Sequence, residues 1–145
     1  MVYIIAGSKN SGKTTLAYHL KKILEGCNKS VVIFDGSEIR EEFPIGYSDG
    51  ERWNRICMIS KLAVIFEKQG VIPIIALVLE KRKWRNDLRR RFSSSRLIYI
   101  SGGRKLEGDI YDVPNSKSEE IYIKFDRENM TIRQEVDVLI DLIKS

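Results

Sequence analysis

The stretch that decides the fold of this chain is Gly7-Ser8-Lys9-Asn10-Ser11-Gly12-Lys13-Thr14, which fills every fixed position of the pattern G-x-x-x-x-G-K-[ST]. The apolar, β-rich run Val2–Ala6 precedes it and predicts a buried strand. The segment Thr15–Glu25 follows it and predicts a helix, because apolar residues recur there at helical spacing: Leu16, Leu20, Ile23 and Leu24. A strand, a glycine loop and a helix in this order predict a phosphate-binding loop.

Each part of this loop has a chemical task in binding a nucleoside triphosphate. Backbone N–H groups of the loop and the helix N-terminus attract a phosphate to one point. Lys13 would reach the β- and γ-phosphates, and the hydroxyl of Thr14 would ligate Mg²⁺. A chance match in a Gly/Ser turn is the alternative, and the flanking strand and helix argue against it. The sequence therefore predicts a bound nucleoside triphosphate with Mg²⁺, and the nucleotide would be held by Gly7, Ser8, Lys9, Asn10, Ser11, Gly12, Lys13, Thr14 and Thr15.

The length and composition predict one domain over residues 1–145. Hydrophobic residues make up 43% and charged residues 31% of the sequence, which is typical of soluble globular proteins. No apolar run approaches the ~20 residues of a membrane span, and no signal peptide is recognised, so a cytoplasmic location is expected. Cys27 and Cys57 have no metal-like spacing and are expected to be reduced thiols. The single histidine, His19, argues against histidine-based acid–base chemistry.

The net charge of +5 arises partly from two basic clusters, Lys81–Arg85 and Arg89–Arg91. Such clusters bind nucleic acid, form a solvated helix face or hold several phosphates of a small substrate. No helix-turn-helix, zinc-finger or RNA-binding aromatic signature accompanies them. The sequence therefore argues against a nucleic-acid partner.

Strand and helix patterns alternate along the whole chain, which predicts a three-layer α/β fold with a mainly parallel five-stranded sheet. After the first strand, further strands are predicted at Ser30–Phe34, Val71–Leu79, Leu97–Ile100 and Ile121–Ile123. After the first helix, further helices are predicted at Glu51–Lys68, Glu80–Phe92 and Thr131–Ile143, the last with a capping box of Thr131 and Gln134. The stretch Ser101–Lys117 is irregular, and a loop of this length is usually functional or mobile.

The second strand delivers Asp35-Gly36-Ser37-Glu38-Ile39-Arg40 to the carboxyl edge of the sheet, where open α/β sheets bind their ligands. A carboxylate beside the γ-phosphate can orient an acceptor hydroxyl, take its proton or hold Mg²⁺ through water. Arg40 can neutralise phosphate charge in a bidentate contact. A plain turn after a strand is the alternative interpretation of Asp35-Gly36.

Several further motifs resemble those of the adenylylsulfate kinase family. They are Asp35-Gly-x-x-x-Arg40, Gly46-Tyr47-Ser48, Arg52, Ile56, Ile59, Arg82-x-x-Arg85-x-x-x-Arg89 and Gly108–Pro114. Members of this family transfer the γ-phosphate of ATP to the ribose 3′-hydroxyl of adenosine 5′-phosphosulfate. The resemblance implies a P-loop kinase fold, ATP and Mg²⁺ as cofactors, a small-molecule nucleotide substrate and a role in sulfate assimilation.

The resemblance also implies roles for individual residues. Lys13 and Asp35 would be the catalytic residues, with Asp35 positioning or deprotonating the acceptor hydroxyl. Arg40 and Arg52 would hold the acceptor nucleotide, and Tyr47 would lie against its base. The full predicted acceptor set is Asp35, Arg40, Tyr47, Arg52, Arg55 and Val78.

The chain departs from the family pattern at four places. Ser37 replaces a second aspartate, Arg55 stands at the position of an asparagine, and Leu79-Glu80 replaces Ser-Pro. The family's lid motif has no counterpart, and Ser101–Lys105 follows the fourth strand instead. Arg104 and Lys105 could supply some of the lid's charge. Glu80 could replace the missing carboxylate near Mg²⁺, or it could be a helix-start glutamate that interacts with the helix dipole.

These departures leave two alternatives open beside adenylylsulfate kinase activity. One is a kinase for a different nucleotide-activated small molecule, and the other is a catalytically weak nucleotide-binding regulatory protein. A GTPase is disfavoured because the sequence lacks Asp-x-x-Gly after a strand and Asn-Lys-x-Asp for guanine. The expected partner is a small-molecule nucleotide, no membrane association is expected, and a homodimer is left open.

Overall fold

Strands and helices alternate in a computed structural model that describes residues 1–44, 46–101, 111, 113, 114 and 129–144, together with the backbone of 121–126. The strands are β1 (Val2–Gly7), β2 (Ser30–Asp35), β3 (Val71–Leu77), β4 (Ser95–Ser101) and β5 (Ile121–Asp126). The helices are α1 (Lys13–Gly26), α2 (Gly36–Glu42), α3 (Asp49–Lys68), α4 (Arg82–Arg89) and α5 (Ile132–Lys144). The sequence patterns predict each of these elements except α2.

The strands form one sheet in the order β2-β3-β1-β4-β5, and every neighbouring pair runs parallel. β1 lies at the centre, where Ile4 pairs with Ile75 of β3 on one side and Leu97 of β4 on the other. The predicted five-stranded parallel sheet is thereby confirmed. Because all strands run the same way, their carboxyl ends share one edge, where ligands bind in open α/β sheets.

The hydrophobic core consists of two clusters, one on each face of the sheet. On one face Ile4 packs with residues of α3 and α4, including Ile59 and Leu88. On the other face Ile5 packs with residues of α1 and α5, including Leu16 and Leu139. Successive side chains of a strand point to opposite faces, so an uninterrupted apolar strand is what a sheet covered on both sides requires. The predicted three-layer arrangement is confirmed.

Two predicted boundaries change at the carboxyl edge of the sheet. β3 ends at Leu77 rather than Leu79, and α4 begins at Arg82 rather than Glu80. Residues 78–81 thus form a connection between β3 and α4. Glu80 contacts another element from this connection and is not part of the helix.

Helix α2 begins directly after β2, and Asp35 is its N-cap residue. The Asp35 Oδ1 atom accepts backbone N–H groups of Ser37 at 2.8 Å and Glu38 at 3.4 Å. An aspartate followed three residues later by a glutamate is a known helix-start pattern, so the sequence did contain a signal for this helix. Asp35-Gly36 is therefore a helix start rather than a plain turn.

The capping box predicted at the start of α5 is confirmed. The Thr131 backbone N–H donates to Gln134 Oε1 at 2.9 Å, and the Gln134 backbone N–H donates to Thr131 Oγ1 at 3.2 Å. Most of the irregular stretch 101–117 lies outside the described residues, including Arg104, Lys105 and much of the segment 108–114. None of the helices in the described part of the chain has the length and apolarity needed to cross a bilayer.

Candidate functional site

The loop between β1 and α1 has the backbone geometry of a tight glycine turn. Gly12 precedes α1 with φ of 100°, a left-handed conformation that favours glycine, and Asn10 also has a positive φ of 62°. At Gly7 a Cβ atom would lie 2.6 Å from Ser11 Oγ and 2.9 Å from the carbonyl oxygen of Ile100. The loop therefore closes so tightly on β4 that a side chain at position 7 has no room.

A cavity of about 440 Å³ opens beside this loop at the carboxyl edge of the sheet. Its lining comes from the loop, the β2–α2 junction, the first half of α3 and the end of β3. The lining residues are Lys9, Asn10, Gly12, Lys13, Thr14, Thr15, Asp35, Gly36, Ser37, Arg40, Arg52, Arg55, Ile56, Ala76, Leu77 and Val78.

Most of the predicted site residues thus meet in one cavity, although they come from four separate stretches of sequence. Four of them do not line it: Gly7, Ser8 and Ser11 lie within the loop, and Tyr47 lies outside. The Tyr47 side chain is 78% exposed. The prediction that it lies against an acceptor base therefore stays a prediction. Five further residues line the cavity without having been predicted as site residues: Gly36, Ser37, Ile56, Ala76 and Leu77. Gly36 and Ser37 directly follow β2, and Ala76 and Leu77 end β3, so their places at the carboxyl edge of the sheet are the sequence signal for them. Ile56 lies on α3.

Lys13 is a partly buried cation at the floor of the cavity. Its Nζ atom donates to the carbonyl oxygen of Ser8 at 2.6 Å. Burial lowers the pKa of Lys13 to about 8; nearby Asp35 raises it and nearby Arg40 lowers it. A bound phosphate would stabilise the charged ammonium form of Lys13. A phosphate is also the ligand that the sequence of the loop predicts.

This pKa predicts a pH dependence of ATP binding. The ammonium form of Lys13 prevails below about pH 8, and bound phosphates would raise the Lys13 pKa further. The affinity for ATP should therefore be highest below that pH and fall by up to about tenfold per pH unit above it. Above that pH, binding should be accompanied by proton uptake. Calorimetry of Mg·ATP binding between about pH 7 and 9.5, in buffers of different ionisation enthalpy, measures both effects. Lys22→Ala, at an exposed position on α1, is the control that keeps the dependence.

Thr14 and Asp35 connect the loop to β2. The Thr14 hydroxyl donates a short hydrogen bond to Asp35 Oδ2, while Oδ1 of the same carboxylate caps α2. Asp35 is only 3% exposed, so its orientation is fixed by these contacts. A hydroxyl that donates its proton to a carboxylate keeps its oxygen lone pairs for another ligand. The Thr14 oxygen therefore fits the role of a Mg²⁺ ligand.

A Mg²⁺ ion beside this pair would meet one hydroxyl and one nearby carboxylate of the protein. Among the described residues there is no group of three or more His, Cys, Asp or Glu side chains that could enclose a metal ion. Mg²⁺ usually binds through one or two protein ligands, with phosphate oxygens and water completing its shell. The Thr14 hydroxyl, hydrogen-bonded to the Asp35 carboxylate, suits a Mg²⁺ ion that is bound together with a nucleotide.

Three arginines line the same cavity: Arg40 of α2, and Arg52 and Arg55 of α3. Arg40 Nη2 donates to Ser37 Oγ at 3.3 Å. Arg55 is 6% exposed, and its Nη2 donates to the carbonyl oxygen of Gly46 at 3.5 Å. Three guanidinium groups in one cavity favour a ligand with negative charge.

Arg52 forms an ion pair with Glu80. Both terminal nitrogens of Arg52 contact this carboxylate, with Nη2 2.7 Å from Oε2 and Nη1 in a short contact with Oε1. Glu80 is thus held by an arginine and lies before the start of α4, whose N-cap residue is Lys81. Its predicted interaction with the helix dipole is replaced by this pair.

Comparison with known proteins agrees with this geometry. The family model for adenylylsulphate kinase matches residues 1–107. A probable adenylyl-sulfate kinase of Archaeoglobus fulgidus is 33% identical over 97 residues, which cover 66% of this chain and 63% of that protein. The match therefore spans less than two thirds of that relative's length. A probable adenylyl-sulfate kinase of Pyrococcus abyssi is 26% identical over 157 aligned positions, covering 94% and 90% of the two chains.

A solved structure extends the likeness over the whole chain. The APS kinase of Mycobacterium tuberculosis, in complex with AMPPNP and APS, has a TM-score of 0.83 and 15% identity, and covers 99% of this chain and 97% of its own. At this identity the likeness concerns the fold. Since the family model matches well over half of the sequence, the chain belongs to the adenylylsulphate kinase family.

Proposed function

We propose that this protein is an ATP- and Mg²⁺-dependent kinase that transfers the γ-phosphate to a hydroxyl of an anionic, nucleotide-type acceptor. Adenosine 5′-phosphosulfate is the first candidate for that acceptor. The observation that carries the proposal is that Lys13, the Thr14–Asp35 pair and the three arginines all line one cavity. Family membership supports the same reaction class.

The roles of the residues follow from where they lie. The loop amides and Lys13 would hold the ATP phosphates, and Lys13 would exchange its contact with the Ser8 carbonyl for them. Thr14 would hold Mg²⁺, which neutralises charge on the transferring phosphoryl group. Asp35, fixed at the end of β2, would orient the acceptor hydroxyl and accept its proton. Such a reaction depends on placement and electrostatics rather than on a covalent intermediate.

The acceptor side of the cavity combines charge with an apolar surface. The arginines favour an anion, whereas Ile56, Ala76, Leu77 and Val78 present apolar atoms beside them. Ile56 and Leu77 are each 5% exposed, so this surface belongs to the core and is rigid. An anionic group attached to a flat, partly apolar body, such as a nucleotide, fits this combination.

The acceptor is tested by incubating the protein with ATP, Mg²⁺ and adenosine 5′-phosphosulfate. We expect ADP and a 3′-phosphorylated product, separated by chromatography, in amounts that depend on both substrates. AMP, which lacks the sulfate, is the matched acceptor control. ADP formation with another anionic acceptor but not with adenosine 5′-phosphosulfate would reject the named substrate and keep the kinase class.

A catalytically weak regulatory protein is the second candidate, favoured by the composition of the site. Ser37 lines the cavity at the position where the family pattern has a carboxylate. Its hydroxyl oxygen accepts a hydrogen bond from Arg40. Nucleotide binding without acceptor-dependent ADP formation, across a panel of nucleotides, would support this candidate. A cytoplasmic location, a single domain and a homodimer remain predictions of either proposal.

A further inference from the structure

Resting on the proposed function, we infer that Tyr18 and Glu38 are positioning residues that hold α2 against α1 during the reaction. Tyr18 lies on α1, about one turn after Thr14, and its phenolic hydroxyl donates to Glu38 Oε1 of α2 at 3.0 Å. Tyr18 and Glu38 do not line the cavity. They would therefore act on the reaction through the residues that α2 presents to the site.

Helix α2 has little apolar packing to hold it in place. None of its residues is buried, and its one large apolar side chain, Ile39, is only half-buried against the core. The helix nevertheless presents Ser37 and Arg40 to the cavity and begins at Asp35, the carboxylate of the site. Polar contacts with neighbouring elements are therefore needed to fix the position of α2.

Two of the described side-chain contacts join α2 to α1, about one helical turn apart. Thr14 donates to Asp35 at the start of α2, and Tyr18 donates to Glu38 three residues further along. Two contact points fix the direction of a short helix, whereas a single point would let it pivot. In the proposed reaction Thr14 would bind Mg²⁺ and Asp35 would accept a proton. The Tyr18–Glu38 contact lies outside that chemistry and can persist throughout it.

The Glu38 carboxylate is available to Tyr18 because α2 is capped in another way. A glutamate at the third helical position often folds back onto the N–H group of the N-cap residue. Here the N-cap Asp35 is the last residue of β2 and pairs with Ala76 of β3, and Glu38 Oε1 accepts the Tyr18 hydroxyl instead. Glu38 raises the pKa of the Tyr18 phenol, first through this hydrogen bond and then through its charge. The phenol therefore stays a protonated donor at neutral pH.

Tyr18→Phe removes one hydroxyl and should slow the reaction through the acceptor. With adenosine 5′-phosphosulfate we expect kcat/KM for the acceptor to fall about three- to tenfold, since an exposed hydrogen bond to a carboxylate is lost. The ATP affinity measured by calorimetry should stay at the wild-type value, because α1 is held by buried residues that include Leu16 and Leu20. A loss of overall stability would instead lower both quantities.

A double-mutant cycle tests whether the two residues act together. Glu38→Ala should lower kcat/KM as much as Tyr18→Phe does, and the double variant should lose no more than either, because both substitutions break one contact. Glu41→Ala removes another exposed carboxylate from α2 and is the matched control, with wild-type kinetics expected. Thermal melting of each variant checks that it is folded.

Hydrogen exchange tests the contact without an acceptor. Tyr18→Phe should speed exchange of α2 amides by a similar factor, for example the Phe43 N–H, which donates to the Ile39 carbonyl at 2.8 Å. Amides of α1 and α3 should keep their wild-type rates.

In an active protein, the inference is overturned if Tyr18→Phe keeps the wild-type kcat/KM, if ATP affinity falls as much as kcat/KM, or if the two substitutions prove additive. A wild-type protein that forms no ADP with any acceptor rejects the proposed function alone. Exchange of the α2 amides then decides the inference, and wild-type rates in both Tyr18→Phe and Glu38→Ala would overturn it.

Discussion

Lys13→Ala should abolish measurable phosphoryl transfer and weaken ATP binding. Lys13 lines the cavity, and its Nζ donates to the Ser8 carbonyl oxygen of the loop. Removing one preorganised contact to the transition state commonly costs ~10²–10³ in rate. Turnover is measured for the wild type and the variant at saturating acceptor, and calorimetry gives the ATP affinity.

Two comparisons make this test specific. Lys22→Ala removes an exposed lysine from the far part of α1 and should leave the rate unchanged. The pH dependence of ATP binding should disappear in Lys13→Ala, because the group that titrates near pH 8 is gone. Equal turnover in Lys13→Ala and wild type would contradict the assignment of this loop to the nucleotide.

The parts of the site that the sequence predicted are those fixed by local pattern. The phosphate loop could be predicted because its glycines, its lysine and its flanking strand and helix are consecutive in the chain. Asp35 and Arg40 could be placed at the ligand edge because every strand of a parallel sheet ends at the same edge. Such predictions need only the direction of the strands, not the packing of side chains.

Contacts between distant residues could not be predicted in the same way. The Arg52–Glu80 pair joins residues 28 positions apart, and it forms because α3 and α4 pack on the same face of the sheet. The early end of β3 at Leu77 places Glu80 in a connection from which it can reach Arg52. The sequence gives no sign of either feature. Its apolar run predicts a strand over Val71–Leu79, and the basic segment after it predicts a helix over Glu80–Phe92.

Helix α2 is a different case, because its first residues carry a helix-start signal and a turn signal at the same time. Asp35 and Glu38 have the spacing of a helix start, whereas Asp35-Gly36 is also a common turn sequence. The cap matters for function, since it fixes the carboxylate that contacts Thr14. One side chain thus starts a helix and orients the predicted Mg²⁺ ligand.

Asp35→Asn should lower the catalytic rate far more than it changes ATP affinity. Asparagine caps a helix about as well as aspartate, so α2 and overall stability should be retained. The amide has no negative charge with which to take a proton from the acceptor, and loss of general base catalysis typically costs ~10²–10⁴ in rate. Calorimetric ATP binding beside steady-state turnover separates the two effects, with Asp141→Asn at an exposed position of α5 as the control.

The outcome of this substitution also decides which carboxylate serves the reaction. Ser37 leaves Asp35 as the only carboxylate among the residues that line the cavity. Near-normal turnover in Asp35→Asn would therefore require a group from outside the lining, with Glu80 as the first to examine. Glu80 could act only by leaving Arg52, whose two terminal nitrogens hold it. Because that separation exposes two opposite charges, turnover through Glu80 should be slow, and a large loss of rate is the expected result.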